Sequence, residues 1–282
     1  MKIVNLYEKL KSAARRPLKG YEIFESDPEL HFLIKLARDW ELDADSVREW
    51  LNSPVALEKE AVAREYLSIA PDVVKQVETV FGRGQLPGVL VLMPSFGEFD
   101  GFARYDLGEH RVILGVDFPD ADVNYLKVLT AHELSHVYRD HSPEVWGFLG
   151  KPLSKVTRKE YLNANTGQEH LVSEGLATLF SQAIFPDVSP ITHHYYEPAE
   201  WQWCLDHHDA IDRSLSDAIR TDGDVWSFYS PNRVSPGSPS RTQYYWAAKI
   251  LSRRLDDVDD PIRALIELHE KPTRYFGEFI GG

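Results

Sequence analysis

The run A-H-E-L-S-H at residues 131–136 constrains this chain more than any other stretch. His132 and His136 stand four residues apart, which puts both side chains on one face of an α-helix. Two imidazoles so placed can reach a single zinc ion with bonds of about 2.0–2.1 Å. Glu133 is turned about 100° from His132 around the helix axis and can reach a water on that ion. Zinc lowers the pKa of such a water to about 7, and the carboxylate takes its proton as the water attacks a carbonyl. The surroundings read as a half-buried helix: Val128, Leu129, Leu134 and Val137 are apolar, and residues 121–140 hold no proline or glycine.

A catalytic zinc site needs a third protein ligand and an open position. Three residues are candidates. His141 lies five residues after His136, but a sharp turn that delivers a third histidine places it six residues on, with a glycine midway; here those positions are Ser142 and Arg139. Asp140 lies one turn beyond His136 on the same helix and suits a supporting carboxylate better than a third corner. Glu174 is embedded among Leu171, Val172, Leu176, Leu179 and Phe180 on a second helix. Burying that carboxylate unpaired costs several kcal/mol, so it needs a partner, and a metal ion is one. The small Ala177 allows a close approach of two helices.

With H-E-x-x-H followed some 38 residues later by E-G-L-A, the chain resembles the gluzincin metallopeptidases. It looks closest to a bacterial family of predicted zinc-dependent proteases whose domain is uncharacterised. The resemblance spans roughly residues 88–255 and takes in V-L-V-L-M-P, L-T-A-H-E-L-S-H-V-Y-R, V-S-E-G-L-A and Y-Y-W-A-A-K-I-L. In the family the last element reads Gly-Tyr-x-x-Gly, and Tyr244 and Ala248 stand here at the glycine positions. The resemblance implies Zn²⁺ on His132, His136 and Glu174, Glu133 as general base, and Tyr245 as the donor that steadies the oxyanion. Rival donors are His193, His194, Tyr195 and Tyr196. It implies a peptide or protein substrate, and a zincin-like core in which a small sheet covers the HExxH helix above a mostly helical lower half. A non-catalytic zincin-fold binding or regulatory module is the alternative; retention of Glu133 argues against it, since a structural metal site needs no base.

Along the chain, residues 1–84 read as a helical N-terminal region and 85–282 as the metallopeptidase domain. Asp43 is a candidate cap for a helix to Leu51, and Pro71 a first-turn residue of another helix. Residues 88–117 hold three short β-branched or aromatic runs, with Gly108 in a hairpin turn. Residues 110–116 are the candidate edge strand for pairing with substrate. Asp120 or Asp122 caps the HExxH helix. Residues 142–164 read as loop, 166–184, 197–220, 240–256 and 261–270 as helices, and the Pro/Ser stretch 230–240 as a rim or connector. Strands followed by helices indicate an α+β fold.

His207 and His208, flanked by aspartates, read as a solvated face, and His170 as a surface residue or a contact of the site. Asp140 and Glu169 are candidate partners for the outer nitrogens of the zinc histidines. The net charge of −13 argues against nucleic acid as a partner. No apolar run approaches a membrane span. The start lacks the apolar core of a signal peptide, and Cys204 is the only cysteine, so a cytoplasmic location is expected. Oligomeric state is left open.

Overall fold

The computed structural model describes residues 1–272 apart from 83, 107, 108, 152 and 222. The fold is α+β. The described chain begins with β1 (Lys2–Asn5), then α1 (Tyr7–Ala14), α2 (Glu22–Glu25), α3 (Leu33–Asp39), α4 (Ala44–Leu51) and the long α5 (Pro54–Phe81). Next come β2 (Val89–Met93), β3 (Gly101–Asp106), β4 (Glu109–Gly115) and α6 (Val123–Asp140). The rest is helical: α7 (Arg158–Ala164), α8 (Gly167–Ile184), α9 (Pro190–His193), α10 (Pro198–Asp206), α11 (His208–Arg220), α12 (Thr242–Ser252) and α13 (Pro261–His269).

The four strands lie in the order β1-β2-β4-β3. β1 and β4 both pair parallel with β2, and β3 pairs antiparallel with β4. Side chains alternate across the sheet. Leu90, Leu92, Val112 and Leu114 enter the large core shared with α5, α6, α8 and α12, while Val91, Met93 and Ile113 enter a second core under α1–α4. The apolar run V-L-V-L-M follows from this, because a strand covered on both faces carries no polar side.

Several elements differ from the sequence expectations. Residues 2–5 are a strand, although 1–84 read as helical; the β-branched pair Ile3-Val4 lies beside Leu90 and Val91 in parallel register. Pro71 is inside α5 and does not open a new helix. Residues 158–164, read as loop, form α7 behind a Thr157–Glu160 capping box. The helix expected over 197–220 is two, parted at His207. The edge strand is also different. β4 is flanked on both sides, by β2 and β3, so its residues 110–115 do not form an edge, and among the described residues the outermost strand on that side of the sheet is β3. The expected Gly108 turn lies outside the described residues.

Asp43 and Asp122 both cap as expected; Asp122 Oδ1 accepts from the Tyr125 amide at 2.7 Å and starts α6. The Phe81 ring stacks between Tyr138 of α6 and Phe180 of α8, with centroids 3.8 and 4.1 Å away. This sandwich fixes the end of α5 against the two helices that carry the candidate site. Among the described residues no helix is long and apolar enough to cross a membrane.

Candidate metal centre

α6 runs beneath the sheet with His132, Glu133 and His136 on its inner side, and α8 packs across it bearing Glu174. A buried ion pair sets their register. Arg139, 1% exposed, donates from Nε and Nη2 to the two oxygens of Glu169 at 2.6 and 2.8 Å. Arg139 also donates to the carbonyls of His269 and Lys271, both at 3.0 Å. Glu169 is therefore occupied and does not support a histidine of the site.

One turn along each helix, His132, His136 and Glu174 converge, each offering one ligand atom within 4.8 Å of the others. This buried group could hold a metal ion. His132 Nε2 donates to Glu174 Oε2 at 3.0 Å, and His136 Nε2 lies 3.6 Å from the same oxygen. His170, one turn before Glu174, places Nδ1 3.5 Å from Oε1. Burial opposes ionisation of Glu174, yet His136 and His132 hold its carboxyl well below the usual range. Burial pulls on His136 too, but the Glu174 and Glu133 carboxylates outweigh it and raise the imidazole to about 9. Desolvation lowers His132 and pushes Glu133 up to about 8; a backbone hydrogen bond from Ala103 on β3 offsets part of the rise in Glu133.

The outer nitrogens of the two histidines differ from expectation. His136 Nδ1 meets Ser173 Oγ at 2.8 Å, and His132 Nδ1 is buried with no partner among the described residues. Asp140 supports neither. Its Oδ2 accepts from His110 Nε2 at 2.8 Å and from the Tyr161 hydroxyl at 2.7 Å, and its Oδ1 accepts from Trp146 Nε1 at 3.2 Å. His141 is drawn off as well, with Nε2 2.9 Å from His110 Nδ1. Neither rival third ligand joins the converging group.

Tyr245 is not brought to these residues. Its ring packs on Trp201, His208 and His194 at 5.6, 5.9 and 6.3 Å. The preceding residue, about 100° round the helix, is the one that faces the site. The Tyr244 ring lies 6.2 Å from that of His132, and its hydroxyl is 3.1 Å from that of Tyr229. The Tyr229 hydroxyl in turn meets His170 Nε2 at 2.5 Å. Adjacent residues of a helix are turned about 100° apart, and the rotation of α12 directs Tyr244 toward His132 and Tyr245 toward Trp201.

Of the rival donors, Tyr195 stands edge-on to His132 at 5.4 Å, while His193 and His194 are tied to Ser181 and to the Pro190 carbonyl. The Tyr196 hydroxyl donates to the Arg241 carbonyl at 2.7 Å. His170, read as a surface residue or a contact of the site, is buried and adjoins Glu174. His207 is exposed as expected, whereas His208 Nδ1 is buried without a partner among the described residues.

Ser173 and Gly175 entered the sequence reading only as letters of V-S-E-G-L-A, and Tyr229 did not enter it. Ser173 was visible only as the neighbour of Glu174, and Tyr229 reaches the site from a 3-10 turn whose placement depends on the tertiary fold. A cavity of about 110 Å³ opens on the group, with Ala103 of β3 and His136, His170 and Glu174 in its walls. Set against known protein families, curated proteins and solved structures, the chain matches none.

Proposed function

We propose that this protein is a zinc-dependent peptidase with a zincin-like core, in which His132, His136 and Glu174 hold the metal. Ligand geometry supports the choice of zinc. Tetrahedral bonds of about 2.0–2.1 Å put ligand atoms about 3.3 Å apart, and the separations of Glu174 Oε2 from the two Nε2 atoms, 3.0 and 3.6 Å, bracket that edge. Two imidazoles and a carboxylate are the donor set of a catalytic zinc that keeps an open position. Bound there, zinc supplies a Lewis acid that acidifies water and polarises a carbonyl oxygen.

The observation that carries the peptidase reading is the placement of Glu133. It is a buried carboxylate beside the ligand group, it makes no ion pair with a lysine or arginine among the described residues, and it faces the backbone of β3. A structural site has no use for it. As general base, Glu133 takes a proton from the attacking water at a carboxylate oxygen and passes it to the leaving amine nitrogen. The Tyr244 hydroxyl donates to the carbonyl oxygen as negative charge develops there. Ser173 holds the His136 ring in orientation. A peptide laid along the outer edge of β3 would gain main-chain hydrogen bonds beside these groups.

The test is metal content and hydrolysis of a mixed peptide pool by wild type and Glu133→Gln side by side. Both proteins should carry one zinc per chain. The variant should lose about 10²–10⁴ in rate, the usual contribution of a general base. Equal cleavage by the two proteins would remove Glu133 from the mechanism, and no cleavage by either would remove the peptidase assignment.

A further inference from the structure

The carboxylate of Glu174 faces two ways. Its Oε2 looks onto the site, 3.0 Å from His132 Nε2 and 3.6 Å from His136 Nε2. Its Oε1 lies 3.5 Å from His170 Nδ1, at the outer edge of hydrogen-bond range. Among the described residues these three imidazoles are the donors placed beside the Glu174 side chain, and His170 is the one that meets Oε1. A carboxylate only accepts, so the hydrogen between the two sits on Nδ1 of His170. The spacing of four residues keeps both side chains on one face of α8.

The imidazole of His170 is itself held from two further sides. Its Nε2 meets the Tyr229 hydroxyl at 2.5 Å, and its face stacks on Trp226 with centroids 4.3 Å and planes 24° apart. Trp226 and Tyr229 belong to one 3-10 turn, Val225–Tyr229. Both ring nitrogens are thus engaged, one by a tyrosine of that turn and the other by the proposed third ligand. A side chain kept only to fill the space against Trp226 needs neither nitrogen.

We infer that His170 is a positioning residue of the metal centre. It holds Oε1 of Glu174 so that Oε2 stays turned to His132 and His136, and Tyr229 fixes the imidazole that does so. This rests on the metal site proposed above. Glu174 hangs on several rotatable bonds, and a side chain of that kind loses much rotamer freedom when it is fixed on an ion. A donor on the second oxygen restricts the carboxylate before the ion arrives. Ligating carboxylates are held by hydrogen bonds in this way, and removing such a partner costs about 10–100-fold in metal affinity. In this role His170 acts through Glu174 and not on the substrate.

The experiment measures zinc affinity of the full chain by competition with a zinc-sensitive dye. The absorption spectrum of the Co²⁺-loaded protein is the second readout, and thermal melts of the metal-free proteins show that each variant is folded. Two replacements separate donation from packing. His170→Phe keeps a ring on Trp226 and loses both nitrogens. His170→Asn loses the stack but carries an amide N–H where Nδ1 was. A positioning role predicts zinc about 10–100-fold weaker in His170→Phe and close to wild type in His170→Asn, with the Co²⁺ bands shifted in the first and kept in the second. A packing role predicts the reverse order. Tyr229→Phe should weaken zinc severalfold, and should cost nothing more when added to His170→Phe, because the hydroxyl acts through a nitrogen that is already gone.

Wild-type zinc affinity in His170→Phe, or losses in His170→Asn as large as those in His170→Phe, overturn the role of His170 and leave the metal site standing. A wild-type protein that binds no zinc overturns the metal site, and the role of His170 with it. Should His170→Phe fail to fold, Tyr229→Phe decides: unchanged zinc affinity with an unchanged Co²⁺ spectrum overturns the role, and weaker zinc with shifted bands upholds it.

Discussion

Tyr244 and His132 lie ring to ring, with centroids 6.2 Å apart and planes 24° apart, although they come from helices far apart in the chain. The tyrosine hydroxyl is anchored by Tyr229, which is itself bound to His170. If Tyr244 donates to the developing oxyanion, the interaction exists mainly in the transition state. Tyr244→Phe should then lower kcat by about 10–10³-fold while KM hardly changes. Tyr245→Phe, on a residue packed against Trp201, should leave kcat within a factor of about two. Steady-state kinetics on one blocked peptide compare the two. A larger loss in the Tyr245 variant would mean that α12 is turned relative to the site.

Metal retention should sort the acids and histidines around α6. His132→Ala, His136→Ala and Glu174→Ala should each lose zinc. Asp140→Asn should keep it, because its oxygens serve His110, Tyr161 and Trp146. Ser173→Ala should keep the ion but bind it about 10–100-fold more weakly, the usual cost of losing a group that orients a ligand. Elemental analysis and competition with a zinc-sensitive dye give these values. Full zinc in Glu174→Ala would return Asp140 or His141 to consideration as third ligand.

What the sequence revealed of this site follows from how local each signal is. His132, Glu133 and His136 share a helix, so their spacing carries the geometry by itself. Glu174 was legible because a carboxylate among five apolar neighbours demands a partner, although the register between α6 and α8 depends on the Arg139–Glu169 pair. Choosing between Tyr244 and Tyr245 requires the rotation of α12 about its axis, which no local pattern gives. The sheet order was hidden for a similar reason. β1 is four residues long and pairs with residues 89–92, more than eighty positions away. The parallel crossover that makes β4 internal leaves no mark between β2 and β4 in the sequence.

Acid should destabilise the fold through histidines that are buried neutral. Burial lowers His269 from 6.5 to about 3, and lowers His194 from 6.5 to about 4. Both folded values lie below the unfolded one, so between pH 6.5 and 4 the unfolded chain binds protons that the folded chain refuses. Stability is complete above about 6.5 and falls as pH drops through that window. His269 is ringed by Phe81, Tyr138 and Phe180, and its Nε2 has no partner among the described residues. His269→Phe should therefore flatten the decline in Tm between pH 6.5 and 4. An unchanged slope would assign the acid sensitivity to other groups.

Gly175 tests how tightly the site is assembled. It follows Glu174 on α8, where α12 crosses. A Cβ built there would stand 2.7 Å from the Ala247 carbonyl carbon, 2.7 Å from Leu251 Cδ1 and 2.9 Å from Ala247 Cβ. Leu251 can rotate away, but the Ala247 backbone cannot, so α12 must move. Overpacking of this kind costs about 1–3 kcal/mol, and Gly175→Ala should lower Tm by several degrees even though alanine is the better helix former. The displaced helix carries Tyr244, so kcat should fall as well while zinc stays bound by α6 and α8. Adding Leu251→Ala removes one clash and leaves the backbone one, so it should restore stability only in part and should not restore kcat. A Gly175→Ala protein as stable and as active as wild type would mean that α8 and α12 lie farther apart than described, and the case for Tyr244 at the site would fall with it.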